Sequence, residues 1–258
     1  MRRVSILIPT FKEERIEGSL DTLAAHLTTI ADTEFEILLV DDSPEPFKAI
    51  IRKWIEGNAA TYPKVRVALV PGEQRGKGHA IKLGAQASTG DVVFTMDADL
   101  PVPLEHIEEF ITAIDRTGAD AVIGVRPMMR NFREPVRFVL SRALSLFQRA
   151  VVFQSSRFRD TQCGFKAYRG DVLRSLTARQ TVEGGMYDIE LLYIATRDGA
   201  KIEGRDVVQN PETRPSKIRV WRCIYTDPRD LVRVRLNGLT GEYERPENTD
   251  REDTHRAR

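Results

Sequence analysis

The sequence predicts an α/β protein built on a mostly parallel sheet with helices on both faces. Three observations carry this. Short β-rich runs alternate with helical patterns through the first half of the chain. The runs are almost continuously apolar, as strands buried on both faces must be, rather than alternating. Four of the runs or their connections end in polar clusters, and in open parallel sheets the carboxyl ends of the strands carry the ligand site.

In order, the predicted strands are "VSILIP" (4–9), "EFEILLVDD" (34–42), "KVRVALV" (64–70), "DVVFTMDAD" (91–99) and "ADAVIGV" (119–125). Helical periodicity fills 14–30, 46–58, 77–88 and 103–116 between them. Beyond residue 126 the pattern is less regular: a long helix over 135–153, the segment "DTQCGFKAYR", a helix over 186–197, a strand over 201–209 and a helix over 228–236. No repeat or low-complexity linker separates the halves. One domain over 1–243 is therefore expected, in two halves, 1–125 and 126–243. The last segment, 244–258, is charged, lacks large apolar groups and reads as a disordered tail.

The 258 residues carry 39 Lys and Arg against 38 Asp and Glu, so no global field argues for nucleic acid. The two cysteines, Cys163 and Cys223, show neither metal-type spacing nor a disulfide framework, which fits a reducing, cytoplasmic setting. A strand-like run directly follows "MRR", so no secretory signal is expected. No apolar run reaches the ~18 residues of a membrane-spanning helix.

The polar clusters are "PTFKEE", "VDDS", "EQRGKGHA" and "DAD". Asp97 and Asp99, one residue apart after a buried strand, repel one another unless a cation or hydrogen bonds offset them. Mg²⁺ or Mn²⁺ prefers such oxygen ligands and binds substrate phosphates at the same time. Asp41 and Asp42 also end a strand, where an acid caps a helix or accepts from a nucleobase or ribose. "RGKG" offers Gly76 for close backbone approach and Arg75 and Lys77 to counter phosphate charge. It lacks the Walker pattern, which disfavours a P-loop ATPase. The four histidines read as surface or cap residues, and Cys163 as a packing residue.

Together, "PTFKEE", "LLVDDS", "RGKGHAIKLGAQASTGDVVFTMDAD" and "DTQCGFKAYR" resemble family 2 inverting glycosyltransferases with the Rossmann-like GT-A fold. "TQCGFK", "YDIELLYIA", "SKI" and "DLVRVRLNGLTGEY" resemble the branch of dolichyl-phosphate β-glucosyltransferases and other polyprenyl-phosphate sugar synthases. The resemblance runs from Val4 to Tyr243. It implies that Pro9, Thr10, Glu13, Asp41 and Lys77 cradle the nucleotide, and that Asp97 and Asp99 hold Mg²⁺ or Mn²⁺ on the donor diphosphate. The family often has Asn where Lys12 stands. "DADLP" puts Pro101 where mannosyl-transferring relatives have a glutamine that joins the metal, so water or diphosphate must complete the shell.

The resemblance further implies an acceptor phosphate held by Arg126, Arg137, Ser141 and Lys217; Arg137 and Ser141 lie one helical turn apart and can share one anion. Asp160 either orients sugar or acceptor or only begins a turn, and Asp188 and Glu190 either touch sugar or serve the helix start. The expected reaction moves a hexose, with UDP-glucose the first candidate donor, to a polyprenyl phosphate. The alternatives are transfer of mannose from GDP-mannose, or of a hexose to a soluble acceptor. In "PVRFVLSRALSLFQRAVVF" the arginines and Ser141 share one sector and Leu140, Phe147 and Val151 the other. Such a helix either lies in a membrane interface or buries its apolar face on the sheet. Relatives usually add an N-terminal anchor; without one, contact with the cytoplasmic membrane face is expected to be peripheral or through a partner subunit.

Overall fold

The computed structural model describes residues 1–127, 143–154, 158–209 and 220–244. Its centre is a seven-stranded sheet of β1 (Arg2–Thr10), β2 (Thr33–Asp41), β3 (Val65–Pro71), β4 (Val92–Thr95), β5 (Ala121–Val125), β6 (Lys166–Arg169) and β7 (Ile202–Asp206). The spatial order is β3-β2-β1-β4-β6-β5-β7. All pairings are parallel except those of β6, which runs antiparallel to both β4 and β5. Besides a helical stretch over 143–153, the described helices are α1 (Ile16–Thr29), α2 (Glu45–Asn58), α3 (Lys77–Ala87), α4 (His106–Thr117), α5 (Gly170–Arg179), α6 (Tyr187–Arg197) and α7 (Val220–Leu239), the last with Pro228 inside it.

The strand alternation explains the continuous apolar runs. Ile6, Ile8, Ile37 and Leu39 pack with α1, α2 and α4 on one face. Leu7, Leu38 and Val93 pack with α3, α5 and α6 on the other. Burying each such side chain stabilises the fold by roughly 1.5–3 kcal/mol relative to leaving it exposed. α4 ends at Gly118, whose φ of 65° suits a glycine helix stop.

The structure departs from the expected elements at four places. The strand expected over 91–99 stops at Thr95, because Met96–Asp99 leave the sheet to form the acidic turn. "DTQCGFKAYR" contains strand β6, too short for its period to register, and α5 follows it unforeseen. The helix expected over 228–236 spans Val220–Leu239. Of the helix expected over 135–153, residues 143–147 are α-helical and Gln148–Phe153 form a π-helical turn; its earlier part lies outside the described residues, as does the tail from 245. Among the described residues no helix is long and apolar enough to cross a membrane.

Candidate active site

The chain reverses its direction of sheet growth between β1 and β4, and Asp97 lies just beyond β4 at that switch point. Because β6 is antiparallel, the residues entering it, Gln162–Phe165, come to the same edge from a distant part of the chain. Asp97, Pro101, Arg126, Gln162, Gly164 and Gln209 are among the residues lining one cavity of ≈ 40 Å³.

Asp97 is the electrostatic centre. Its side chain is about one-third exposed, and Lys77 Nζ donates to its Oδ1 at 2.6 Å. Burial pushes the Asp97 carboxyl pKa up, but Lys77, Lys166 and Arg126 outweigh it and hold the group below the ordinary aspartate value. Burial likewise opposes the Lys77 charge, yet Asp97 and then Asp188 raise its pKa above the lysine norm. Asp99 sits exposed on the same turn. A Cβ added at Gly164 would overlap the Asp97 carboxylate, so only glycine lets this loop close over it.

Lys77 is the first residue of α3. Gly76, with φ 126°, precedes it, and no side chain caps that helix end. A Cβ on Gly76 would lie 2.6 Å from the Glu183 carbonyl oxygen. The 180–183 segment thus backs the helix start: Gln180 Nε2 donates to Gly78 O at 2.9 Å and His79 N to Glu183 O at 3.2 Å. Glu190 secures that segment, accepting from Thr181 N and Val182 N at 2.9 and 2.8 Å and from the Tyr243 hydroxyl at 2.6 Å.

Asp41 is buried at the end of β2. It accepts from Thr10 Oγ1 at 2.6 Å, Ser43 N at 2.7 Å and Ser43 Oγ at 3.1 Å, so Thr10 and Asp41 meet as their strand register requires. Pro9 is half-buried beside them, and Glu13 lies half-buried in the turn after β1. Asp42 accepts from Gln74 N at 3.0 Å and ties the β3–α3 loop to β2.

Arg126 follows β5 and is gripped by Asp160: its Nε and Nη2 donate to Asp160 Oδ2 and Oδ1 at 2.6 and 3.1 Å, and its backbone N donates to Oδ2 at 3.2 Å. Gln162 N donates to Oδ1 at 3.0 Å. Burial pushes the Asp160 carboxyl up, but the Arg126 bonds prevail and hold it below its usual range. Both oxygens are therefore committed to the arginine and the loop. Beside the two readings of Asp160, orienting a ligand or starting a turn, these contacts set a third, as the partner of Arg126.

The structure brings Lys77, Asp97 and Arg126 together at one edge. Arg137, Ser141 and Lys217 lie outside the described residues. Asp188 pairs with Lys166, whose fully buried Nζ donates to Asp188 Oδ1 and Cys163 O, both at 2.6 Å. Asp188 and Glu190 are thus internal struts. Cys163 is buried, and burial pushes its thiol pKa up, as suits a packing residue. Reading the sequence gave no role to Lys166, Gln162 or Gly164. The quoted "TQCGFK" holds all three, but only the antiparallel entry of β6 sets them against Asp97.

Metal fit turns on the donor set. Two carboxylates on one turn are hard oxygen ligands of the kind Mg²⁺ and Mn²⁺ take. Among the described residues no group of three or more His, Cys, Asp or Glu is gathered. The pair therefore suits a cation that a diphosphate and water share, rather than an all-protein cage.

An open, mostly parallel α/β sheet with an acidic turn at its switch point is a Rossmann-like fold of the GT-A type. Residues 5–177 match the glycosyl transferase family 2, and the chain belongs to that family; it is a glycosyltransferase. Among relatives, the dolichyl-phosphate β-glucosyltransferase of Dictyostelium discoideum is 25% identical, the match covering 92% of this chain and 75% of that protein. The Homo sapiens dolichyl-phosphate β-glucosyltransferase is 26% identical, covering 94% and 78%. Glucosyl-3-phosphoglycerate synthase from Mycobacterium tuberculosis, solved with Mn²⁺, UDP-glucose and glycerol 3-phosphate, superposes with a TM-score of 0.60 at 19% identity, covering 96% of this chain and 82% of that one. At that identity the likeness is one of fold.

Proposed function

We propose that the protein transfers a hexose, with inversion, from a nucleoside-diphosphate sugar to a phosphate-bearing acceptor, with UDP-glucose the first candidate donor and a polyprenyl phosphate the first candidate acceptor. One observation carries the reading: Lys77 and Asp97, suited to a donor diphosphate, and Arg126, suited to an acceptor anion, border one site at the switch point of the sheet. The dolichyl-phosphate β-glucosyltransferases among the relatives support a glucosyl group and a polyprenyl-phosphate acceptor.

In this reading Thr10 and Asp41 meet the nucleoside, with Pro9, Glu13 and Asp42 around it. The diphosphate lies at the start of α3, where the helix dipole and Lys77 favour an anion. Asp97 and Asp99 would hold Mg²⁺ or Mn²⁺. When bound, that ion would stabilise the charge that builds on the departing diphosphate. Arg126, with Arg137, Ser141 and Lys217, would hold the acceptor phosphate in line with the anomeric carbon. A phosphate oxygen is already ionised near neutral pH, so it attacks without a protein base; the sugar's bond to the diphosphate breaks as the new C–O bond forms. Asp160, occupied by Arg126, is not needed as one.

The test is a transfer assay crossing UDP-glucose and GDP-mannose with a polyprenyl phosphate and 3-phosphoglycerate, with and without Mn²⁺. The reading expects turnover from UDP-glucose to the polyprenyl phosphate, dependent on the cation. Preference for 3-phosphoglycerate would reassign the acceptor, preference for GDP-mannose the donor, and unchanged turnover in EDTA would remove the cation from the scheme. Co-sedimentation with anionic liposomes tests peripheral membrane contact separately.

A further inference from the structure

Lys77 occupies an oxygen of Asp97 that a cation would take. Its Nζ lies 2.6 Å from Asp97 Oδ1, and Asp188 and Asp99 are the other carboxylates whose charge it feels. The neighbouring charges are already matched: Asp188 by Lys166 at 2.6 Å, and Asp160 by Arg126 at 2.6 Å. What remains is one lysine facing two carboxylates, a net single negative charge.

A divalent ion bound to Asp97 at roughly 2.0–2.2 Å would stand close to that ammonium. Like charges at such a distance in a partly desolvated site repel strongly. A cation arriving alone therefore either meets the ammonium or displaces it with no new partner to receive it. A cation arriving with the doubly charged diphosphate of a nucleotide sugar restores the single negative charge; a free nucleoside diphosphate leaves the site more negative still. In both cases the lysine gains phosphate oxygens to bond. The side chain can make that move: it is more than one-third exposed on a flexible stem. Its backbone cannot, because Gly76 abuts Glu183 O and His79 N bonds the same oxygen at 3.2 Å.

We propose that Lys77 couples the cation to the nucleotide: it sits on Asp97 when both are absent, disfavours the cation alone, and passes to the diphosphate when the two bind together. The proposal rests on the cation–diphosphate reading of the site. Coupling is reciprocal, so the cation tightens the nucleotide by the factor by which the nucleotide tightens the cation.

The experiment follows free Mn²⁺ by electron paramagnetic resonance during titration into the full chain, with and without saturating UDP, in wild type, Lys77→Met and Lys77→Arg, with UDP binding measured by calorimetry. In wild type, UDP is expected to tighten Mn²⁺ binding at least roughly tenfold, within the usual range of site–site coupling. Lys77→Met is expected to bind Mn²⁺ alone about tenfold more tightly, with the gain from UDP reduced to match, whereas Lys77→Arg keeps most of the coupling. Equal Mn²⁺ affinity with and without bound UDP in wild type overturns the proposal, and that comparison needs no variant to fold. Unchanged Mn²⁺ affinity in a folded Lys77→Met overturns it too. Failure of Mn²⁺ to bind any of the proteins, even with UDP bound, rejects the cation reading itself and the coupling with it.

Discussion

Arg126 and Asp160 show how one side chain acquires a role from another. A guanidinium held through two of its nitrogens and its own backbone N–H is fixed before any substrate arrives, so less entropy is lost on binding an anion. Asp160→Ala is therefore expected to raise the acceptor KM roughly ten- to a hundredfold, the loss of one or two charge-assisted contacts, while donor affinity stays unchanged. A fall in kcat at saturating acceptor with KM unmoved would instead put Asp160 against the sugar. Gly164→Ala is the steric counterpart: its Cβ overlaps the Asp97 carboxylate. Loss of Mn²⁺–UDP binding with an unaltered circular dichroism spectrum is expected, and retained binding would refute the role given to that close approach. Asp97, Asp99 and Lys77 were legible as candidates because each stands in a recognisable motif close to a strand or helix end, and Arg126 because the family resemblance carried it. The grip of Asp160 on Arg126 was not, because 34 residues separate the pair.

At the scale of elements, β2 carries an acid in its buried run. Glu36, 3% exposed, accepts from Ser5 Oγ on β1, Thr89 N beyond α3 and Arg66 Nη2 on β3, at 2.5, 2.6 and 2.6 Å. It ties together the ends of the strands opposite the site. Burial pushes its pKa up, but the Ser5, Thr89 and Arg66 bonds outweigh burial and hold it below the ordinary glutamate value. A carboxyl whose pKa is lower folded than unfolded stabilises the protein above the unfolded value, about 4.3, and loses that contribution as pH falls through the folded one. Glu36→Gln is expected to cost about 1–3 kcal/mol near neutral pH and to flatten the decline of Tm below about pH 4. Parallel acid melting curves for the two proteins would contradict this. β6 teaches the complementary lesson. Four residues cannot display a period, and only their pairing between β4 and β5 makes them a strand.

For the whole molecule, the proposed site joins distant parts of one chain, so a bound nucleotide should stabilise the entire cooperative unit. At a hundred times Kd, a ligand specific for the native state adds about 2.7 kcal/mol, which for a chain of this size raises Tm by roughly 5–10 °C. UDP with Mn²⁺ is expected to do this and Mn²⁺ alone to do much less; no shift with UDP, GDP or their sugars would count against a nucleotide site at this edge. The order of strands and helices through β5, the carboxyl-edge location of the polar clusters and the family are all written in the sequence. They depend on short-range periodicity and on motifs next to strand ends, which a linear reading can see. Tertiary structure alone decided that β6 runs antiparallel, that Lys166 and Asp188 form a buried pair behind Asp97, that Glu190 braces the start of α3, and that Asp160 belongs to Arg126. Each of these is a contact between residues far apart in the chain, and distance along a chain says nothing of proximity until the sheet has closed.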